Sequence, residues 1–121
     1  MIPLPYEPSQ EVEVEKIRCP VLLISGEDDQ AFPSVEASHY IEKKMKEAGN
    51  SHLLSRICYP GAGHAIQPPF TPLCRLLYYS FPGFKERVWT LFGGEEKAHA
   101  AAQVDAWKQI LIFLKQHLVL S

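Results

Sequence analysis

A continuous apolar run near the start of the chain predicts a buried strand. Residues 20–25 are apolar at nearly every position, and the run ends at Gly26. This pattern is typical of a parallel-sheet strand that is covered on both faces. The preceding residues 1–16 contain three prolines and are interpreted as an extended lead-in, in which residues 11–15 could form a marginal edge strand.

Apolar positions then recur with the period of a helix. Residues 34–48 are predicted to be helical, with Ser34 as the N-cap and Gly49 as the stop. The apolar stripe of this helix consists of Ala37, Ile41, Met45 and Ala48. A second strand is predicted over residues 53–59, before Pro60. Strand, helix and strand in this order predict a βαβ unit with parallel strands, and hence an α/β fold.

The clearest periodicity lies at the C-terminal end and predicts a helix over residues 98–117. Its apolar positions recur at intervals of three and four residues, so we expect them to form one buried face. They are Ala100, Val104, Trp107, Leu111, Leu114 and Leu118, whereas Ile112 falls on the polar side. Residues 61–97 are rich in proline, glycine and aromatic side chains and are hard to assign, although 73–79 could form a short helix.

Composition and charge exclude several classes of protein. Hydrophobic residues make up 46% of the chain and charged residues 21%, which is too apolar for a disordered chain. A formal net charge of −2 gives no basic surface for nucleic acid. We expect neither a signal peptide nor a transmembrane span, because the apolar runs are too short. The 3 cysteines lack zinc-site spacing and are odd in number, which favours a reducing compartment over disulfides.

Two polar residues follow the predicted parallel strands and indicate catalytic chemistry. Asp29 stands in the pattern Gly-x-x-Asp after the first strand, and His64 ends the pattern Gly-x-Gly-His after the second. The carboxyl ends of parallel strands lie along one rim of the sheet, where ligands bind in open α/β folds. A carboxylate on Nδ1 of a histidine fixes its tautomer, and the imidazole can then exchange protons near neutral pH. We therefore predict that Asp29 and His64 form a hydrogen-bonded pair, in the acid-then-histidine order of the α/β-hydrolase triad.

Neighbouring residues leave alternatives at this predicted site. Asp28 is the rival acid, although Glu27 and Asp28 are interpreted as solvated or capping residues. The other histidines lack a comparable loop context and are interpreted as surface or core residues; they are His39, His52, His99 and His117. A nucleophile elbow needs Gly-x-Ser-x-Gly or its cysteine equivalent, and no two glycines of this chain are four positions apart. Cys58 is disfavoured as a substitute nucleophile because it precedes the rim, within or at the end of the second strand.

Several short segments of the chain together form a specific pattern. They are GEDD at 26–29, ICYPGAGH at 57–64, QPPF at 67–70, PLCR at 72–75, GGE at 93–95, AHA at 98–100 and AQVDAWK at 102–108. This pattern resembles the acyl-CoA thioesterases that are grouped with bile acid-CoA:amino acid N-acyltransferase. The resemblance covers nearly all of residues 14–118.

The resemblance implies a fold, a chemistry and a role for each of the two site residues. Residues 17–121 would be the C-terminal part of an α/β-hydrolase domain that follows a β-sandwich in this family. Asp29 would be the triad acid and His64 the triad histidine. The family cleaves acyl-CoA thioesters with a serine, or transfers the acyl group to glycine or taurine with a cysteine. The chain departs from the family pattern because the sandwich, the elbow and the earlier strands are missing, and because the segment 76–91 is longer and more aromatic.

We therefore expect a C-terminal fragment of an acyl-CoA thioesterase that supplies Asp29 and His64, lacks the nucleophile and is inactive alone. N-acyl transfer to an amino acid and a non-catalytic truncated product are the alternatives. A flavodoxin-like domain is disfavoured because the chain shows no phosphate loop. No metal and no cofactor are expected, since CoA is part of the acyl-CoA substrate. We expect that substrate as the partner of the whole enzyme, self-association of the fragment, and an intracellular location, with the cytoplasm ahead of peroxisomes and mitochondria.

Overall fold

Two parallel strands and the helix between them form the first part of the fold. The computed structural model describes residues 9, 11–80, 82–83 and 85–118. Strand β1 spans Val21–Gly26, helix α1 spans Ser34–Glu47, and strand β2 spans Leu54–Tyr59. The strands pair in parallel from Val21 opposite Leu54 to Gly26 opposite Tyr59, so their carboxyl ends lie level with each other. The predicted α/β class and the predicted βαβ unit are confirmed.

Strand β1 is less covered than its apolar sequence predicts. Its last two residues, Ser25 and Gly26, are buried, whereas the four before them are only half-buried. Within the described ranges β2 is the one strand paired with β1, so the other edge of β1 has no strand beside it. Helix α1 packs against both β1 and β2.

The first helix begins and ends close to the predicted residues, but its N-cap differs. Pro33 occupies the N-cap position, and Ser34 is the first residue of α1. The Ser34 hydroxyl is buried and has no hydrogen-bond partner among the described residues, so the prediction that it caps the helix is wrong. The reason is local, because Pro33 O accepts the Ala37 N–H at 3.0 Å and the helix therefore begins one residue earlier than a Ser34 cap requires. The predicted stop is confirmed, since Gly49 has the positive φ of 78° that follows many helix ends.

The segment before the final helix contains a hairpin instead of the short helix considered for residues 73–79. Strand β3 spans Leu76–Tyr79 and pairs antiparallel with β4, Val88–Leu91. Tyr78 lies opposite Trp89, and their rings stack with centroids 5.1 Å apart. Such a cross-strand aromatic pair stabilises a hairpin. The two residues are distant in sequence, so local periodicity does not predict that they pair.

The final helix, α2, spans Glu96–Leu118, and its buried face is not the predicted one. The buried residues are His99, Ala102, Gln103 and Ala106. The predicted apolar stripe is largely exposed, with Leu111 at 64% and Leu118 at 68% exposure. The two faces differ by about one helical position, or roughly 100° of rotation. The small alanines let α2 approach the loop after β2, and polar side chains on the same face hydrogen-bond to that loop.

The lead-in also differs from its interpretation as a marginal strand. Residues Val14–Lys16 form a short 3-10 helix, and Val14 is buried. The Asn50 amide donates to Ile17 O at 3.1 Å and ties this turn to the end of α1. Residues 1–8 and 10 of the predicted lead-in lie outside the described residues. Among the residues that the structure describes, none of the helices is long and apolar enough to cross a membrane.

Candidate catalytic site

Asp29 and His64 meet at the carboxyl ends of β1 and β2. The distance from His64 Nδ1 to Asp29 Oδ2 is 2.9 Å. The Asp29 side chain is 4% exposed, whereas that of His64 is 43% exposed. The contact that the sequence predicts between these two residues, with the carboxylate on Nδ1, is therefore present. Because a carboxylate can only accept, the neutral imidazole that makes this contact carries its hydrogen on Nδ1 and has Nε2 as its proton acceptor.

The Asp29 carboxylate is held by the loop that leads into α1. Its Oδ1 atom accepts hydrogen bonds from the Ala31 and Phe32 N–H groups, each at 2.9 Å. The Asp29 N–H donates to Gly26 O at the end of β1. One carboxylate oxygen is thus committed to the backbone and the other to the imidazole. This division fixes the carboxylate in place before any substrate arrives.

The neighbouring carboxylate of Asp28 has a different task. Its Oδ2 accepts the Gly94 N–H at 2.8 Å, and its Oδ1 accepts the Gln30 amide at 2.7 Å. The hydrogen bond from Gly94, followed by that from Gln30, lowers the pKa of Asp28 below its ordinary value of 3.8. Asp28 therefore joins the loop after β1 to the loop before α2 and does not face the imidazole.

At two glycines near His64 the backbone is packed too closely to leave room for a side chain. A Cβ atom on Gly63 would lie 2.5 Å from Gly93 O, and one on Gly26 would lie 2.4 Å from Ala62 O. These glycines let the loop after β2 pass between the end of β1 and the loop before α2. The His64 N–H donates to Phe92 O at 2.9 Å, and the Phe92 ring lies against the imidazole with centroids 5.0 Å apart.

Helix α2 fixes the same loop from the other side, and the sequence interpretation missed this contribution. His99 is 1% exposed; its Nδ1 accepts the Gly63 N–H and its Nε2 contacts Ala65 O, each at 3.0 Å. The Gln103 amide contacts three carbonyl oxygens, those of Gln67, Pro68 and Thr71, at 3.0–3.1 Å. The Trp107 indole donates to Ile66 O at 3.0 Å. The sequence did contain a signal for this contribution: His99, Gln103 and Trp107 can all form hydrogen bonds, and their spacing of four residues places them on one face of the helix.

The remaining histidines agree with their interpretation as surface residues. His39, His52 and His117 are exposed. Cys58 is half-buried, and its sulfur lies 3.3 Å from Arg56 Nη1. It does not belong to the lining of the cleft beside His64, in agreement with its position before the rim.

A cleft of about 280 Å³ opens beside the imidazole. Its walls come from the end of β1, from Asp29 and His64, from Ser34 and from α2; the complete lining is Ile24, Ser25, Gly26, Asp29, Ser34, His64, Ile66, Ala106 and Ile110. The cleft therefore combines an apolar wall with the carboxylate-bound imidazole of His64, which is typical of a small-molecule site. In the described part of the chain, no three His, Cys, Asp or Glu side chains come together as a metal site.

Comparison with known proteins gives one consistent family. Residues 3–120 match the family model described as BAAT / Acyl-CoA thioester hydrolase C terminal. The chain is 38% identical over 107 residues to the peroxisomal succinyl-coenzyme A thioesterase of Mus musculus, covering 88% of this chain and 24% of that protein. It is 39% identical over 114 residues to acyl-coenzyme A amino acid N-acyltransferase 2 of Rattus norvegicus, covering 94% of this chain and 26% of that protein.

A third relative is also named as an N-acyltransferase. The chain is 41% identical over 109 residues to the bile acid-CoA:amino acid N-acyltransferase of Mus musculus, covering 88% of this chain and 24% of that protein. The chain thus spans about a quarter of the length of the curated relatives it matches.

Proposed function

The chain belongs to the BAAT and acyl-CoA thioester hydrolase family and is similar to its C-terminal, α/β-hydrolase part, and we propose that it supplies the acid and the histidine of an acyl-CoA thioesterase site. The single observation that carries this proposal is the 2.9 Å contact between His64 Nδ1 and Asp29 Oδ2 at the rim of the sheet. The nucleophile would come from a segment outside these 121 residues, since their glycines form no elbow.

The geometry supports a definite division of work in acyl transfer. With Nδ1 bonded to Asp29, the Nε2 atom of His64 would take the proton from the attacking serine or cysteine. The nucleophile would add to the thioester carbonyl, and the tetrahedral intermediate would collapse by breaking the C–S bond. The imidazolium, stabilised by Asp29, would return its proton to the departing CoA sulfur. Water would then attack the acyl-enzyme with His64 as general base again, releasing the fatty acid.

Acyl transfer to an amino acid is the second candidate, and the relatives named as N-acyltransferases favour it as much as the thioesterases favour hydrolysis. The two reactions share the acyl-enzyme and differ in the acceptor that attacks it. Adding glycine or taurine to a working enzyme distinguishes them. A conjugated product would identify transfer, whereas unchanged release of free fatty acid would identify hydrolysis.

Location and cofactor follow the same proposal. CoA enters and leaves as part of the substrate, so we propose no separate cofactor. Some of the relatives are named for compartments, a peroxisomal thioesterase and the mitochondrial acyl-coenzyme A thioesterase 2 of two species. For this chain we propose a cytoplasmic location, which cell fractionation with an antibody against α2 would test.

The isolated chain gives the first test of the proposal. Incubated with a long-chain acyl-CoA, it is expected to release no CoA above background, because its sequence contains no nucleophile elbow. Turnover that His64→Ala abolishes would contradict the proposal and show that a nucleophile lies within the 121 residues. Turnover that His64→Ala leaves unchanged would come from a contaminant.

The second test places residues 14–118 behind the upstream three quarters of a matched thioesterase. This chimera is expected to hydrolyse acyl-CoA, and Asp29→Asn is expected to lower kcat by about 10²–10⁴-fold. The amide would still accept the Ala31 N–H with its oxygen but would present an NH₂ group to Nδ1, which selects the wrong tautomer. Asp28→Asn is the matched control and is expected to lower kcat by about tenfold at most, since its contact is with the loop. Equal losses in the two variants would contradict the assignment of Asp29.

A further inference from the structure

A second histidine, His99, is buried beneath the loop that carries His64. The imidazole of His99 is almost completely inaccessible to solvent, and it projects from the first turn of α2 on the buried face of that helix. Both of its ring nitrogens contact backbone atoms, Nδ1 at the Gly63 nitrogen and Nε2 at the Ala65 oxygen, each at 3.0 Å. These two backbone groups belong to the residues directly before and after His64.

The two contacts determine the tautomer of His99. A backbone N–H can only donate, so the Nδ1 atom that faces Gly63 must be unprotonated. A carbonyl oxygen can only accept, so the Nε2 atom that faces Ala65 must carry the hydrogen. His99 is therefore a neutral imidazole with its hydrogen on Nε2. This is the opposite tautomer to that of His64, whose hydrogen lies on Nδ1 towards Asp29.

The backbone of three consecutive residues is fixed as a result. Gly63 donates to His99, His64 donates to Phe92 O at 2.9 Å, and Ala65 accepts from His99. The His99 ring is itself enclosed, since a Cβ on Gly94 would lie 3.2 Å from its Nδ1. The Gly94 N–H is in turn held by the Asp28 carboxylate. The ring thus stands between the loop of His64 and the loop that Asp28 secures.

We propose that His99 is a positioning residue for His64: by accepting from Gly63 and donating to Ala65, it sets the backbone from which the His64 imidazole reaches Asp29. The proposal concerns the arrangement of His64, and it rests on the proposed function only in naming what that arrangement serves. An imidazole suits this place because it offers an acceptor and a donor on opposite sides of one rigid ring. Asparagine can replace only the acceptor at Nδ1, and glutamine only the donor at Nε2.

The experiment records the imidazole ¹⁵N spectrum of the ¹⁵N-labelled 121-residue chain at neutral pH, at a concentration below that at which the chain self-associates. The unsubstituted chain is expected to show His64 protonated on Nδ1 and His99 protonated on Nε2. In His99→Leu, with helix content retained by circular dichroism, the His64 signals are expected to shift towards an average of two tautomers, because its ring no longer keeps its place on Asp29. His99→Asn and His99→Gln each retain one of the two contacts and are expected to give intermediate His64 signals.

His117→Leu is the matched control, because His117 lies on the same helix with an exposed ring against Phe113, 4.6 Å between centroids. It is expected to leave the His64 signals unchanged. An unchanged His64 spectrum in folded His99→Leu would overturn the proposal and leave His99 as a space-filling residue. If His99→Leu does not fold, unshifted His64 signals in both His99→Asn and His99→Gln overturn it equally. A His64 ring without the Nδ1 hydrogen in the unsubstituted chain would instead contradict the proposed function, which separates the two failures.

Discussion

At the scale of single residues, two adjacent carboxylates show how position decides chemical role. Asp28 and Asp29 differ by one place in sequence, yet Asp29 faces the imidazole and Asp28 faces the Gly94 N–H. The sequence favoured Asp29 because it is the fourth residue of the Gly-x-x-Asp pattern, and the contact it makes agrees with that choice. What the sequence could not indicate is the task of Asp28, since its partner lies 66 residues away.

The lowered pKa of Asp28 predicts a specific dependence of stability on pH. Because the folded state lowers this pKa below the ordinary value of 3.8, the ionised carboxylate stabilises the fold at pH values above about 4. That contribution is lost as the pH falls below 3.8 towards the folded-state pKa. We expect Asp28→Asn to remove this component, so that the urea unfolding midpoints of the variant and the unsubstituted chain converge as the pH falls from about 5 through 3.8 and below. Glu27→Gln, a change at the exposed neighbour, is the control; parallel curves for Asp28→Asn would contradict the prediction.

The close passage of the backbone at Gly63 predicts a large effect of one added methyl group. In Gly63→Ala the new Cβ would lie 2.5 Å from Gly93 O, so one of the two loops must move. We expect a loss of about 2–3 kcal/mol in the free energy of unfolding, measured with urea.

Gly49→Ala separates this contact from backbone strain. Gly49 has a φ of 78°, but nothing lies within 4 Å of its added Cβ. It is expected to cost only about 1–2 kcal/mol, the cost of the left-handed backbone for a residue with a side chain. A cost at Gly63 no larger than that at Gly49 would show that the loops separate easily.

At the scale of elements, the sequence predicted those parts of the fold in which burial follows local periodicity. The predicted ends of β1, β2 and α1 each lie within one residue of the observed ends. The strand β3 was missed because four consecutive apolar residues, Leu76–Tyr79, fit either a short helix or a strand. Its identity depends on pairing with β4, Val88–Leu91, which local pattern does not contain.

Helix α2 was located correctly but rotated wrongly, and the reason is physical. Hydrophobic periodicity assumes that the most apolar face is the buried one. Here the loop after β2 presents backbone groups that need partners, and the face carrying His99 and Gln103 supplies them. The demand for hydrogen bonds thus decided the orientation against the apolar stripe. The Asp29–His64 contact was predictable because both residues follow the ends of parallel strands. The contacts of His99 were not, because they depend on backbone groups of a loop about 35 residues away.

The hydrogen bond between β2 and α2 gives a prediction about docking of the final helix. The Tyr59 hydroxyl donates to Asp105 Oδ2 at 2.6 Å. Burial, followed by this hydrogen bond, strongly raises the pKa of Tyr59. The neutral phenol therefore stabilises the fold below its ordinary pKa of about 10, and this contribution is lost as the pH rises above that value. We expect Tyr59→Phe to lower the free energy of unfolding by about 1 kcal/mol at neutral pH.

Tyr40→Phe is the comparison for this change. The Tyr40 hydroxyl donates to Glu11 at the surface of α1, where water replaces a lost partner. It is expected to change the free energy of unfolding by no more than about 0.5 kcal/mol. An equal effect of both substitutions would mean that the Tyr59 hydrogen bond contributes nothing beyond a surface contact.

At the scale of the whole molecule, the chain leaves apolar surface and a strand edge uncovered. One edge of β1 has no strand beside it in the described ranges, and Leu111 and Leu118 of α2 are mostly exposed. The hairpin of β3 and β4 adds to this exposed surface, because its stacked side chains Tyr78 and Trp89 are exposed as well. Open edges and apolar patches of this kind recruit other chains.

We therefore expect the isolated chain to self-associate. Size-exclusion chromatography at increasing concentration should show species larger than a monomer, with a broad thermal transition. Leu111→Lys with Leu118→Lys should lower the association constant by about tenfold for each side chain that is buried on association. Lys108→Ala, on the polar side of α2, is the matched control. A monodisperse monomer with a sharp transition at all concentrations would show that these surfaces do not drive association.

The order of the elements along the chain also determines when the His64 loop can become fixed during synthesis. The strands β1 and β2 and the helix α1 lie within residues 21–59, so their contacts can form while the rest of the chain is still being synthesised. The groups that hold the His64 loop come later in the chain, from Phe92, His99 and Trp107. A ribosome releases residues in order, and His64 therefore emerges well before the groups that hold it. We expect the early strands to gain protection from hydrogen exchange first, and the amide of Gly63 to gain it only once α2 has docked.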